Sequence, residues 1–111
     1  MKRRNGFVSN SSSSSFIIKN LTNREMTLKD FAEETSYLVE DFNDLYDWNN
    51  DSIDDFFKDV NDYDYEWTPK EDKIVSFGDE DGNVMGKVYD YMLRDGGESE
   101  SFQWWFHEAR R

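Results

Sequence analysis

The chain has 111 residues, 25 of them Asp or Glu against 13 Lys or Arg, for a formal net charge of -12. A surface of that sign repels phosphates, which excludes ordinary binding to nucleic acid or anionic membrane and favours a basic partner. There is no cysteine, hence no thiol nucleophile, thiolate metal site or disulfide frame, and the reducing cytoplasm is the expected compartment.

Single domains commonly take about 100–150 residues, so one unit is expected. Hydrophobic residues make up only 36% of the chain, but they include nine Phe, six Tyr and four Trp. One aromatic ring can bury roughly 150–250 Å², so a core is feasible provided that it is largely aromatic. No apolar run approaches the roughly 18 residues of a membrane span.

The basic start Met1-Lys2-Arg3-Arg4 leads not into the apolar stretch of a secretory leader but into Gly6 and five serines at 11–15. That composition buries too little apolar surface to hold one shape. Residues 1–15 are therefore expected to be a flexible basic arm, and residues 16–111 a single acidic domain. Phe16-Ile17-Ile18-Lys19 reads as a short strand. Thr27 offers a hydroxyl cap and Asp30 a charge that suits the helix dipole. Behind them Leu28, Phe31, Ala32, Thr35, Leu38, Val39 and Phe42 trace one amphipathic helix.

Asn and Asp crowd residues 44–50, which predicts a turn, and Asp51 or Ser52 then caps a second helix carrying Ile53, Phe56, Phe57 and Val60. Residues 63–69 read as a loop, because Pro69 turns Thr68 away from helical geometry. A strand follows over 73–77, closed by the turn at 78–82. Asn83 caps a third helix through Val84, Val88, Tyr91 and Met92, stopped at Gly96-Gly97, where glycine tolerates a left-handed conformation. Residues 101–107 alternate, Phe102, Trp104 and Phe106 on one face and Gln103, Trp105 and His107 on the other, as a strand does. The expected fold is α+β: a small sheet of about three strands packed with about three helices, in the order β-α-α-β-α-β. Trp104 and Phe106 should be core, while Trp105 is either covered by a helix or open to a partner.

Between Glu40 and Glu66, eleven acidic residues face a single basic one, Lys58. Asp51, Asp54, Asp55, Asp59 and Asp62 recur at helical spacing opposite the apolar side of the second helix. At about 1.5 Å per residue they would form a row roughly 16 Å long. Its charge density approaches that of one DNA strand, with a phosphate every ~3.4 Å. Asp44, Asp47, Asp64 and Glu66 extend the row. Like charges four apart weaken a helix. The row is either a solvated face that keeps a small protein soluble, or a site for a basic surface, as in a DNA mimic.

Asp79-Glu80-Asp81-Gly82-Asn83 has the look of a calcium-loop opening, but the glycine such a loop requires would fall at Val84 and its closing glutamate at Asp90. A strand-to-helix turn is expected instead, with no metal or other cofactor. His107 is the one histidine, and the chain has no Gly-x-Ser-x-Gly elbow, phosphate-binding glycine loop or His-Glu-x-x-His. His107 reads as an ordinary strand residue and the chain as non-enzymatic. Trp104-Trp105-Phe106 could stack on bases, but such platforms sit in basic grooves, and only Arg110 and Arg111 lie close by.

The opening Arg4-Asn5-Gly6-Phe7-Val8-Ser9-Asn10, with the serines at 11–15 and Phe16-Ile17-Ile18, resembles an N-terminal element of uncharacterised bacteriophage proteins. The likeness spans the first 18 residues and implies an origin, but no fold, activity or site residue. Residues 90–97 and Phe102-Gln103-Trp104 are similar to stretches of proteins without assigned function. A phage origin implies two roles: an acidic inhibitor of a host nucleic-acid-binding defence protein, or a virion or assembly component whose residues 1–15 order against a neighbouring subunit. The expected partner is a basic protein surface, such as that of a nucleic-acid-binding enzyme, met by Asp44, Asp47, Asp51, Asp54, Asp55, Asp59, Asp62, Asp64 and Glu66.

Overall fold

The computed structural model describes residues 13–46, 51–78 and 81–110. The first strand, β1, covers Ser13–Asn20 and lies at the centre of a sheet, antiparallel both to β4 (Asp72–Gly78) and to β6 (Phe102–Arg110). β5 (Gly97–Glu98) pairs with the start of β6 and completes the order β4-β1-β6-β5. A separate two-stranded ladder joins β2 (Met26–Thr27) to β3 (Glu66–Trp67). The helices are α1 (Leu28–Thr35), α2 (Tyr37–Leu45), α3 (Ile53–Lys58) and α4 (Val84–Met92), with a 3-10 turn at Asp59–Asp62 after α3. The fold is α+β. Its described residues form six strands and four α-helices in the order β-β-α-α-α-β-β-α-β-β, in place of the expected three and three.

Local chemistry sets the helix starts. Thr27 and Asp30 form a reciprocal capping box, Ser52 Oγ accepts from the amides of Asp54 and Asp55, and Asn83 Oδ1 accepts from Gly86. The helix expected through 28–42 breaks at Ser36. Thr35 is buried there, its hydroxyl donating to Phe31 O at 2.7 Å and lying 2.7 Å from the Tyr89 hydroxyl. Such back-bonding weakens and bends a helix. The last helix ends at Met92, before the expected glycines, and Gly96 then makes the turn into β5 with a φ of +74°.

Helices cover one face of the sheet. Phe16, Ile18, Val75, Phe77, Phe102 and Trp104 are buried under them. Phe31 of α1 is the hub of this layer, edge-on to Phe102 at 5.1 Å and to Trp104 at 5.4 Å, and 5.3 Å from Tyr89. Trp67 fills the far side and donates from Nε1 to Ile18 O at 2.8 Å. On the opposite face Ile74, Ile17 and Trp105 stand in register across three strands, Ile74 58% and Trp105 37% exposed. Trp105 thus stands on the face away from the described helices. Phe106 corrects the core expectation: its ring meets Phe16 edge-on at 5.9 Å, yet it is 39% exposed, beside a register shift that leaves His107 without a partner position on β1. The free edge of β4 is blunted at Ser76, whose amide donates to the Tyr65 hydroxyl at 3.1 Å.

The expected arm loses its last three residues to the sheet, and residues 1–12 lie outside the described ones. Ser13, Ser14 and Ser15 are all buried. The Ser14 hydroxyl donates to Asp90 Oδ1 at 2.7 Å, and Arg94 Nη2 reaches Ser14 Oγ at 3.1 Å and Asp90 Oδ1 at 2.9 Å. The Asp90 carboxylate is fully enclosed while Arg94 is one third exposed, so the guanidinium carries the charge balance out toward solvent. Arg94→Met is expected to lower unfolding free energy by about 2–3 kcal/mol, and Ser14→Ala by about 1, because each strips a bond from a buried carboxylate. Urea denaturation of the two variants measures both, and no loss in Arg94→Met would remove the triad from the stability of the fold.

Glu34 of α1 clamps the turn between β5 and β6, accepting from Ser99 Oγ at 2.6 Å and Ser101 N at 2.8 Å. Burial pushes its carboxyl up, but the hydrogen bonds from Ser99 and Ser101 outweigh burial and hold it below its ordinary 4.5. A carboxyl lowered on folding contributes stability above its ordinary value and loses it as pH falls through the lowered one. Between about pH 6 and about pH 3 wild type should therefore lose more melting temperature than Glu34→Gln does. Parallel losses in the two proteins would show that this carboxylate is not linked to folding.

Candidate functional site

The acidic segment does not form one continuous helix, and this corrects the expected row. α3 is six residues long, and a 3-10 turn of four residues takes over at Asp59. At about three residues per turn, Asp59 and Asp62 fall on the same side of that turn, and both are drawn to the start of α4. Asp59 Oδ2 accepts from Val84 N at 2.8 Å and Met85 N at 3.1 Å, while Asp62 Oδ2 accepts from Asn83 Nδ2 at 3.0 Å. The first amides of a helix lack partners within it and carry partial positive charge. Asp59, contributed from a distant segment, thus joins Asn83 in capping α4.

The same corner is closed by Tyr63 and Asp81. Tyr63 donates its hydroxyl to Asp81 Oδ2 at 2.6 Å, and that oxygen also accepts from Gly78 N at 3.1 Å. Burial, then the hydrogen bond to Asp81, pushes the phenol well above its ordinary range, so it remains a neutral donor. Gly86 sits against this network: a Cβ there would come within 2.6 Å of Asp81 Oδ2 and of Gly78 O. Asp81 therefore serves as a strand-to-helix brace, while Asp79 and Glu80 lie outside the described residues.

Asp51 also has a structural task. Its backbone exchanges two 3.0 Å hydrogen bonds with the Asn43 side chain, and its carboxylate meets Lys87 Nζ at 2.9 Å with only 16% of the side chain exposed. It pins the start of α3 to α2 and α4. Asp54 and Asp55 are exposed in the first turn of α3, and Asp55 has only a loose contact to Lys58 at 4.0 Å. Asp44 at the end of α2, Asp64 after the 3-10 turn and Glu66 on β3 are exposed as well. Asp47 lies outside the described residues.

The eight sequence-derived residues that are described thus separate by role. Asp51, Asp59 and Asp62 hold elements of the domain together, while Asp44, Asp54, Asp55, Asp64 and Glu66 present charge to solvent. Sequence reasoning missed the tertiary cap at Asp59 because its partners lie on another helix. It also missed the ring-lined hollow beside Val60, described below. Among the described residues no group of three or more His, Cys, Asp or Glu is placed to hold a metal ion, and no helix is long and apolar enough to cross a membrane. No family model, curated protein or solved structure matches the chain.

This division has a measurable consequence. Asp59→Ala removes two charge-assisted bonds to helix amides and is expected to destabilise the domain by about 1–2 kcal/mol. Asp54→Asn and Asp55→Asn, which touch nothing of comparable strength, should each stay within about 0.5 kcal/mol. Chemical denaturation of the three single variants provides the comparison, and equal effects at all three positions would refute it.

Proposed function

We propose that the chain is a non-enzymatic acidic binding module whose exposed carboxylates receive a basic protein surface. The observation that supports this reading is the set Asp44, Asp54, Asp55, Asp64 and Glu66: all are exposed, and the only described salt bridge among them is the loose one from Asp55 to Lys58. Asp44 even sits at a helix C-terminus, where the dipole disfavours negative charge. Within one module, carboxylates that brace the fold coexist with carboxylates left to solvent; Asp54 and Asp55 suit the dipole at the start of α3, but so many like charges on one small domain still carry a repulsive cost. A cationic partner offsets that cost, and opposite fields accelerate its approach.

The narrower reading is a partner that normally handles nucleic acid, with the module occupying its phosphate-binding surface. A net charge of -12 on so small a chain supports it. The test is an affinity capture from host lysate at low and high salt, comparing wild type with a variant carrying Asn at 44, 54, 55 and 64 and Gln at 66. That variant spares the three bracing aspartates, so it should fold. A nucleic-acid-binding protein retained by wild type at low salt, released at high salt and missing from the variant is the expected result. Identical captured proteins for both would return the carboxylates to a solubility role.

A further inference from the structure

Two adjoining hollows run between α1 and the segment from the 3-10 turn to β3, of about 230 and 380 Å³, and share Lys29, Val60 and Asn61 as common wall. Ligand pockets commonly measure roughly 300–1,000 Å³; the first hollow falls below that range and the second at its lower end, sizes that suit the side chains of a peptide. The first is lined by Leu28, Tyr63 and Tyr65 and carries Asp64 and Glu66. The second is lined by Phe57 and carries Glu33. Phe57, Val60, Tyr63 and Tyr65 pack on the core but are only partly buried, which leaves apolar surface within the groove.

Charge along this groove is not uniform. Carboxylates stand at both ends, and Lys29 stands in the shared middle, exposed and with no ion pair to a described residue. A ligand with cations throughout would set one of them against Lys29. A ligand with cations at its ends and apolar side chains at its centre would match acid with cation at each end and place its apolar groups on Val60 and Phe57. We propose that this groove seats a peptide segment of that pattern, apolar in the middle and basic on both flanks. The proposal rests on the acidic-module reading and names the kind of segment by which the basic partner is recognised.

Three synthetic peptides separate the possibilities, each flanked by lysines and differing only in a central Leu-Phe, Ser-Ser or Lys-Lys pair, with binding followed by fluorescence anisotropy. Wild type is expected to bind the Leu-Phe peptide about tenfold more tightly than the Ser-Ser peptide, the scale of one buried apolar side chain. Val60→Trp, which fills the shared wall, should erase that preference. Lys29→Glu, an exposed change that leaves the core alone, should raise affinity for the Lys-Lys peptide above that for Ser-Ser, and it tests the groove even if Val60→Trp does not fold. Equal affinity of wild type for all three peptides, weakened alike by Asp54→Asn with Asp55→Asn, would overturn the groove and leave the acidic module standing. An unchanged ranking in Lys29→Glu would also overturn the groove. No binding of any peptide to wild type at low salt would overturn both readings.

Discussion

Burial of β1 between β4 and β6 is the constraint on which the rest of the domain depends. Its amides and carbonyls are shared between two strands that do not pair with each other, so the sheet has no continuity without it. Phe16 and Ile18 on its inner face are fully enclosed, and Ile18 O accepts the indole of Trp67 from β3. The α1 ring of Phe31 then packs on Trp67, Phe102 and Trp104, which ties the helical layer to the same strand pair. Because aromatic rings carry so much area each, the buried Phe, Tyr and Trp side chains supply much of the core beside aliphatic residues such as Ile18, Leu28 and Val88.

The acidic composition is accommodated by direction. Asp59, Asp62 and Asp81 all point into the corner where β4 turns into α4, and every one accepts from an N–H or O–H group there. Asp90 is enclosed but shares Oδ1 with Ser14 and Arg94. Carboxylates so placed stabilise the fold through charge-assisted bonds, whereas those on the outer side of α2, α3 and β3 have no such return. The module reading gains its force from that contrast rather than from net charge alone.

The groove adds a pattern to the charge. A uniformly acidic face attracts any polycation, and selectivity among basic partners then needs a feature that rejects some of them. In the proposed groove that feature is Lys29, between Glu33 on one side and Asp64 with Glu66 on the other, and the matching attraction comes from the partly covered rings beside Val60.

Much of this architecture was legible locally. Thr27, Ser52 and Asn83 act as caps because a side-chain oxygen needs only the next two or three amides to satisfy, and the alternation of Phe102, Gln103 and Trp104 marks a strand with one buried face. The α+β class followed from such elements. What composition could not convey was pairing. A serine tract has no strand signature, yet Ser13–Ser15 are buried because β4, β6 and Asp90 complete them from far along the chain. Gly97 and Glu98 form a strand by pairing with Trp104 and Gln103, and the Trp104 indole lies so close to Gly97 that a Cβ there would come within 2.9 Å of the ring. The sequence by itself determined the acidity, the aromatic core and the helix starts, since these depend on residue type and near neighbours. Tertiary structure alone decided which aspartates brace the fold and which stay exposed to solvent, because a carboxylate's task depends on the amides and cations that distant segments bring to it.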